Sequence, residues 1–274
     1  MERVAALKPF LKWVGGKGRM LSKYAPLLPD MTQVRRYVEP MAGGAAMLFS
    51  LQHPENVICD YNEELIDTYR VVKHRVDELI DVLSGYVYDR DFFHEIRSWN
   101  VLELDNVTKA ARMIYLNKTC YNGLYRVNKS GQFNAPFGTY KNPKIYCEDN
   151  LRNVSQFLKT TEILSGDFTV PAALIGENDF VYIDPPYIPL NATSNFTSYT
   201  TKGFSIEEQQ RLGACTAQFI AQGAKVMLSN SDTALSREIF GHMQAHEVLS
   251  GRSINSNPNR RGNVHELVFT SYEV

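Results

Sequence analysis

Four consecutive residues, Asp184-Pro185-Pro186-Tyr187, offer the sharpest chemistry in this chain of 274 residues. They follow the run D-F-V-Y-I, which has the composition of a buried strand. Ligands of open α/β sheets bind outside the carboxyl ends of the strands, so these four residues fall where chemistry is expected. Two prolines end the strand, stiffen the backbone and remove two N–H donors, which leaves carbonyl groups as the available backbone atoms. A carboxylate and a carbonyl can together accept both hydrogens of one amino group. An amine conjugated to a purine ring is a poor nucleophile, and two such acceptors favour a pyramidal nitrogen with an available lone pair. Asp184 and the Pro185 carbonyl are the nominated acceptors, with Tyr187 stacking on the ring. Taken alone, D-P-P-Y also fits an ordinary turn with a solvent-facing tyrosine.

Two glycine-bearing segments nearer the amino terminus could approach a small ligand. Glu39-Pro40-Met41-Ala42-Gly43-Gly44-Ala45-Ala46 follows a strand-like run and opens a helix, although G-x-G-x-x-G is absent. The next strand ends in Asp60, where a carboxylate can accept hydrogen bonds from ribose hydroxyls or cap the helix that starts near Asn62. Lys12-Trp13-Val14-Gly15-Gly16-Lys17-Gly18 resembles a phosphate loop only superficially, because Leu11 and Gly18 occupy positions where that loop needs Gly and Ser or Thr. An aromatic beside glycines and lysines suits a small charged ligand; Trp13 as plain core is the alternative.

The segment from Tyr121 to Gly138 interleaves basic and amide side chains with aromatics. Arginine suits guanine edges, Asn and Gln suit adenine, and lysine suits phosphates. A polar surface hairpin turning at Lys129 to Gly131 is the plainer reading, and the absence of acids counts against it.

The elements that must position these residues alternate between strand and helix, the pattern of an α/β fold. Strands are expected at 35–39, 56–60, 162–165, 179–184, 224–229, 246–249 and 266–272. The spacing Ser205 to Glu208 predicts a capping box opening a helix whose face carries Leu212, Cys215 and Phe219 until Gly223. Between Glu63 and Tyr146 the pattern turns to successive helices and then loops with a hairpin, which reads as an insertion.

The chain carries 29 Lys plus Arg, 30 Asp plus Glu and 44% hydrophobic residues, so it is neither a disordered chain nor a strongly charged one. The near balance hides segregation. Residues 106–147 hold Lys109, Arg112, Lys118, Arg126, Lys129, Lys141 and Lys144 and no acid; residues 1–23 and 252–261 are also basic. These stretches sum to +15, leaving -16 on the other 199 residues. That distribution suits a polyanion partner. The four scattered cysteines suit a reducing compartment, none follows a proline as a cytosine-attacking thiolate typically does, and the six histidines form no metal-ligand spacing. No run is long enough to span a bilayer and the start lacks a signal-peptide core, so a cytoplasmic protein is expected.

In order along the chain stand K-W-V-G-G-K at 12–17, E-P-M-A-G-G at 39–44, C-D-Y-N at 59–62, C-Y-N-G-L-Y-R-V-N at 120–128, F-N-A-P-F-G at 133–138, D-P-P-Y at 184–187, L-S-N-S-D-T at 228–233 and R-S-I-N-S-N at 252–257. This ordered set, covering about Lys8 to Tyr272, resembles the Dam family of DNA adenine-N6 methyltransferases of the D12 class. The resemblance implies a Rossmann-like S-adenosylmethionine-dependent methyltransferase sheet, with 1–62 and 147–274 as the catalytic domain. It implies that 63–146 is an inserted, mainly helical target-recognition domain containing a β-hairpin. It further implies methyl transfer to adenine in GATC, with double-stranded DNA as partner, no membrane, no metal and a monomeric enzyme. By position, Trp13, Lys17, Pro40, Gly43, Asp60, Asp167, Phe168 and Asp184 match cofactor-contacting segments, and Asp184, Pro185, Pro186 and Tyr187 match the catalytic tetrapeptide. Lys12, Leu124, Arg126 and Pro136 match base-reading positions, Tyr121 and Asn122 match residues that steady the duplex around a flipped adenine, and Arg97, Asn128 and Asn134 match backbone contacts. Met41 stands where the family often has an aromatic and Thr139 where a basic residue is usual.

Two other functions stay open on the residues. One is an RNA or protein amide N-methyltransferase, which shares the need for acceptors around a planar amine. The other is a non-catalytic DNA-binding regulator with the same fold, whose expected sign, a damaged tetrapeptide, is missing.

Overall fold

The computed structural model describes residues 7–190, 204–251 and 263–274. Seven strands make up a mixed sheet: β1 Arg36–Glu39, β2 Asn56–Asp60, β3 Thr161–Ser165, β4 Asp179–Ile183, β5 Lys225–Ser231, β6 Gln244–Gly251 and β7 Asn263–Thr270. The helices are α1 Leu21–Tyr24, α2 Ala46–Leu51, α3 Glu63–His74, α4 Val76–Ser84, α5 Arg90–Ser98, α6 Asn106–Thr119, α7 Glu148–Leu158, α8 Ile206–Ala221 and α9 Ala234–Ile239. Each expected strand is present, with ends shifted by a few residues. The motif at 252–257 and the basic run at 252–261 lie outside the described residues.

The chain divides into two units, residues 1–18 with 42–170, and 19–41 with 171–274. In the first, β2 and β3 pair in parallel from Asn56↔Thr161 to Asp60↔Ser165. Between them run α3 to α7. Asn62 caps α3 by accepting the Leu65 N–H, with Glu63 and Glu64 in the first turn and Lys73 in the last, each sign matched to the helix dipole. Asp105 caps α6 in the same way, and α6 is buried along most of its length. Phe93 and Ile96 of α5 pack with Tyr115 and Leu116 of α6, and the loop beyond α6 contributes Cys120, Phe133 and Ala135 to this cluster. Burying each large side chain stabilises the fold by roughly 1.5–3 kcal/mol. The basic segment is therefore anchored from beneath. Its hairpin is irregular: antiparallel bridges join Cys120 to Phe137 and Val127 to Phe133, and Gly131, at φ +76, closes a turn onto the Asn128 carbonyl.

In the second unit the strand order is β1-β4-β5-β7-β6. β1, β4 and β5 are parallel, while β7 runs antiparallel to both β5 and β6. β4 is buried throughout, and Asp179 at its start accepts a two-pronged bond from Arg35 at 2.9 and 2.7 Å. Ser205 caps α8 by accepting the Glu208 N–H at 3.3 Å. The reciprocal half of the expected capping box is not what the Glu208 carboxylate does, because it is engaged by Arg211, one turn on. Gly223, at φ +89, follows the helix end.

Candidate active site and DNA-reading segment

In the second unit, the parallel neighbours β1 and β4 deliver Pro40 and Asp184 to the same edge of the sheet, one residue beyond Glu39 and Ile183. The register of Ile183 with Leu228 sets Ser229 beside Asp184, and the Ser229 hydroxyl donates to Asp184 Oδ1 at 2.9 Å. The tetrapeptide is then held link by link. Gln209, buried in α8, donates from Nε2 to the Pro186 carbonyl at 2.6 Å and accepts from Asn230 Nδ2 at 3.2 Å. Asn230 Oδ1 accepts the Ile188 N–H at 3.0 Å. The Pro185 carbonyl accepts no hydrogen bond among the described residues, unlike that of Pro186.

Tyr187 is fixed at its far end. Its hydroxyl donates to Glu266 Oε2 at 3.2 Å, while the buried Tyr24 donates to Glu266 Oε1 at 2.6 Å. Burial first, and then the Asp184 carboxylate, push the Tyr187 phenol well above the usual tyrosine range. Burial and Glu266 do the same to Tyr24. Both phenols therefore stay protonated and keep donating across the physiological range.

In the first unit a second cluster surrounds the end of β2. Asp60 Oδ2 accepts the Gly43 N–H at 2.8 Å, Oδ1 accepts the Asn62 N–H at 2.9 Å, and the Cys59 carbonyl accepts the Ala42 N–H. The cap of α3 is thus Asn62, and Asp60 ties the glycine turn to β2. Burial raises the Asp60 pKa, opposed by the two backbone donors. Burial pushes the Cys59 thiol up to about 12. Gly43 sits at φ +47, and a Cβ there would come within 2.7 Å of the Trp13 ring, so only glycine fits. Trp13 itself is half-buried, not core. Asp167 and buried Phe168 leave β3 beside the end of β2, where the Asp60 carbonyl accepts the Gly166 N–H. Lys17 is buried and donates to the Gly15 carbonyl at 3.0 Å. A glycine turn, an indole and a half-buried carboxylate that retains lone-pair capacity beyond its two backbone donors fit an adenosyl group with its ribose.

The DNA-reading candidates also gather in the first unit. Lys12 lies 4.1 Å above the Tyr140 ring, its backbone N–H is held by Asn117, and its side chain packs where a Cβ on Gly123 would sit, at 2.5 Å. Tyr121 is 54% exposed, a large ring offered to a partner, and Asn122 takes a left-handed φ of 54° beside it. Arg126 Nε and Nη2 donate to the side chain and backbone oxygens of Asn134 at 2.7 and 2.9 Å. Asn128 Oδ1 accepts the Ser130 and Gln132 N–H groups, so this residue shapes the hairpin turn. Pro136 is exposed and its carbonyl accepts the Tyr121 N–H. Arg97 donates to the Ala135 carbonyl at 3.4 Å, and Leu124 is half-buried. Burial, and then Lys12, lower Lys118 to about 8.

Sequence reasoning named no role for Tyr24, Gln209, Ser229, Asn230 or Glu266. Ser229 and Asn230 were visible only as part of L-S-N-S, and the others reach the site from distant elements. Among the described residues no helix is long and apolar enough to cross a membrane.

D-P-P-Y at the end of β4 and the acid-free basic stretch at 106–147 suit a methyltransferase that modifies DNA. The family model of the D12 class N6 adenine-specific DNA methyltransferases matches residues 13–254, and the chain belongs to that family. It is similar to the Type II methyltransferase M.MjaIII of Methanocaldococcus jannaschii, with 42% identity over 97% of this chain and 99% of that protein. It is also similar to the Type II methyltransferase M1.LlaDCHI of Lactococcus lactis subsp. cremoris, with 39% identity over 97% and 96%. The DNA adenine methylase of Salmonella typhi is 33% identical over 95% of this chain and 94% of that protein. The protein is an adenine-specific DNA methyltransferase, and this membership replaces the RNA or protein amide reading.

Proposed function

We propose that this enzyme methylates N6 of adenine within GATC in double-stranded DNA, acting as a monomer without a metal, by flipping the base and transferring the methyl group directly. Residues 63–146 serve as the target-recognition domain, and 1–62 with 147–274 as the catalytic domain. S-adenosyl-L-methionine, when bound, supplies an electrophilic sulfonium methyl. Trp13, Gly43 and Asp60 hold its adenosyl group, with Asp60 accepting from ribose hydroxyls; Lys17, Pro40, Asp167, Phe168 and Asp184 complete the cofactor residues.

Flipping the adenine costs a few kcal/mol, and stacking on Tyr187, worth roughly 1–3 kcal/mol, offsets much of it. Tyr121 and Asn122 steady the duplex left behind. Asp184 and the Pro185 carbonyl accept the two hydrogens of N6 and localise its lone pair. Catalysis here is positioning and polarisation, with no covalent enzyme intermediate. Lys12, Leu124, Arg126 and Pro136 read bases, while Arg97, Asn128 and Asn134 follow the backbone.

The observation that carries this reading is the restraint on the tetrapeptide. Ser229, Gln209 and Glu266 fix Asp184, Pro186 and Tyr187, while the Pro185 carbonyl keeps its acceptor capacity. Asp184→Ala should slow single-turnover methyl transfer by about a hundredfold or more, with thermal melting and DNA binding retained. Transfer within tenfold of the parent enzyme would refute the role given to Asp184.

A further inference from the structure

We infer that Tyr125 is a positioning residue through which the cofactor pocket and the DNA-reading loop sense each other's occupancy. The inference rests on the assignment of Trp13 to the cofactor and of Leu124 and Arg126 to DNA. Tyr125 lies between those two reading residues in the chain. Its ring stacks on Trp13 with centroids 5.4 Å apart and an interplanar angle of 25°. The same ring meets Phe133 edge-on at 5.9 Å, across the hairpin whose Asn134 holds Arg126. Its hydroxyl donates to Glu64 Oε2 at 2.8 Å. Glu64 Oε1 in turn accepts from the buried Arg112, which also donates to the Ile96 and Arg97 carbonyls.

One face of the Trp13 indole is thus covered by a residue of the reading loop, and its edge abuts the Gly43 turn. Whatever orders Trp13 against that turn also orders Tyr125, and whatever fixes Leu124 and Arg126 on DNA fixes the ring that backs Trp13. Ordering that is already done for one ligand need not be repeated for the second, which gives positive coupling without a large change of shape. Coupling between binding sites is reciprocal, so each ligand must strengthen the other by the same factor. The stack alone accounts for the link between rings, and the Glu64 bond determines how firmly Tyr125 is held while unliganded.

The test uses the full chain carrying Trp99→Phe, so that Trp13 is the sole tryptophan. S-adenosyl-L-homocysteine, which cannot turn over, is titrated with and without a GATC duplex while Trp13 emission is followed, and the duplex is titrated with and without S-adenosyl-L-homocysteine. The parent should show a coupling factor of about tenfold, equal in both directions. Tyr125→Leu should bind each ligand alone yet bring the factor below about threefold, and Tyr125→Phe, which keeps the stack and loses the Glu64 bond, should fall between. A Tyr125→Leu factor within twofold of the parent's, or a parent factor near one, overturns the inference while leaving the cofactor assignment standing. If equilibrium dialysis shows S-adenosyl-L-homocysteine bound with no response from Trp13, the cofactor assignment fails and the inference falls with it.

Discussion

Asp184 shows how a short motif becomes a site. Its chemistry is legible from residue types alone, since a carboxylate followed by two residues that lack N–H groups presents chiefly acceptors. Its orientation is not, because Ser229, which donates to its Oδ1, lies 45 positions away in sequence. Tyr187 is similar: the ring is legible, but the Glu266 carboxylate that it shares with Tyr24 comes from β7. Arg126 raises a sharper point. Its fork grips Asn134, so the guanidinium is held in place, and the base-reading role proposed for it would fall to the N–H groups beyond those two bonds. Arg126→Ala should therefore cost about 1–3 kcal/mol at one base pair of the site and relax discrimination there. Competition binding against duplexes altered one base at a time measures this, and equal weakening on every sequence would mark Arg126 as a phosphate contact instead.

At the scale of elements, the strand ends do the positioning. β1 and β4, parallel neighbours, present Pro40 and Asp184 at one edge, and β2 and β3 present Asp60 and Asp167 likewise. Such ends are predictable because the runs R-R-Y-V-E, N-V-I-C-D and D-F-V-Y-I are short, carry β-branched or aromatic residues at their centres and run into turn residues. The hairpin was harder to read. Its geometry is set by the burial of Phe133, Ala135 and Cys120 against α5 and α6, not by a regular ladder, and period-two alternation is weak there. The glycine turn after β1 was recognised by composition, yet the reason for Gly43 is the Trp13 ring packed against it. Gly43→Ala combines that clash with a left-handed backbone, which costs a non-glycine residue about 1–2 kcal/mol. Its dissociation constant for S-adenosyl-L-methionine should rise at least about tenfold, measured by equilibrium dialysis. Unchanged cofactor affinity would separate Trp13 from the cofactor pocket.

For the whole molecule, the distribution of charge matters more than its sum. A net charge of -1 would not suggest a DNA enzyme, whereas an acid-free stretch from Asn106 to Cys147 does, and that stretch carries Tyr121, Arg126, Asn128 and Asn134. Family membership establishes adenine in DNA as the target, and the tetrapeptide geometry supports direct transfer to its amino group. The most direct measurement is label transfer from S-adenosyl-L-methionine to three duplexes: one with GATC, one with a single base of that site changed, and one with GATC already methylated at N6 on both strands. Label is expected on the first alone. Label on all three would contradict the site and the base together, and label on the second but not the third would contradict GATC as the sequence read.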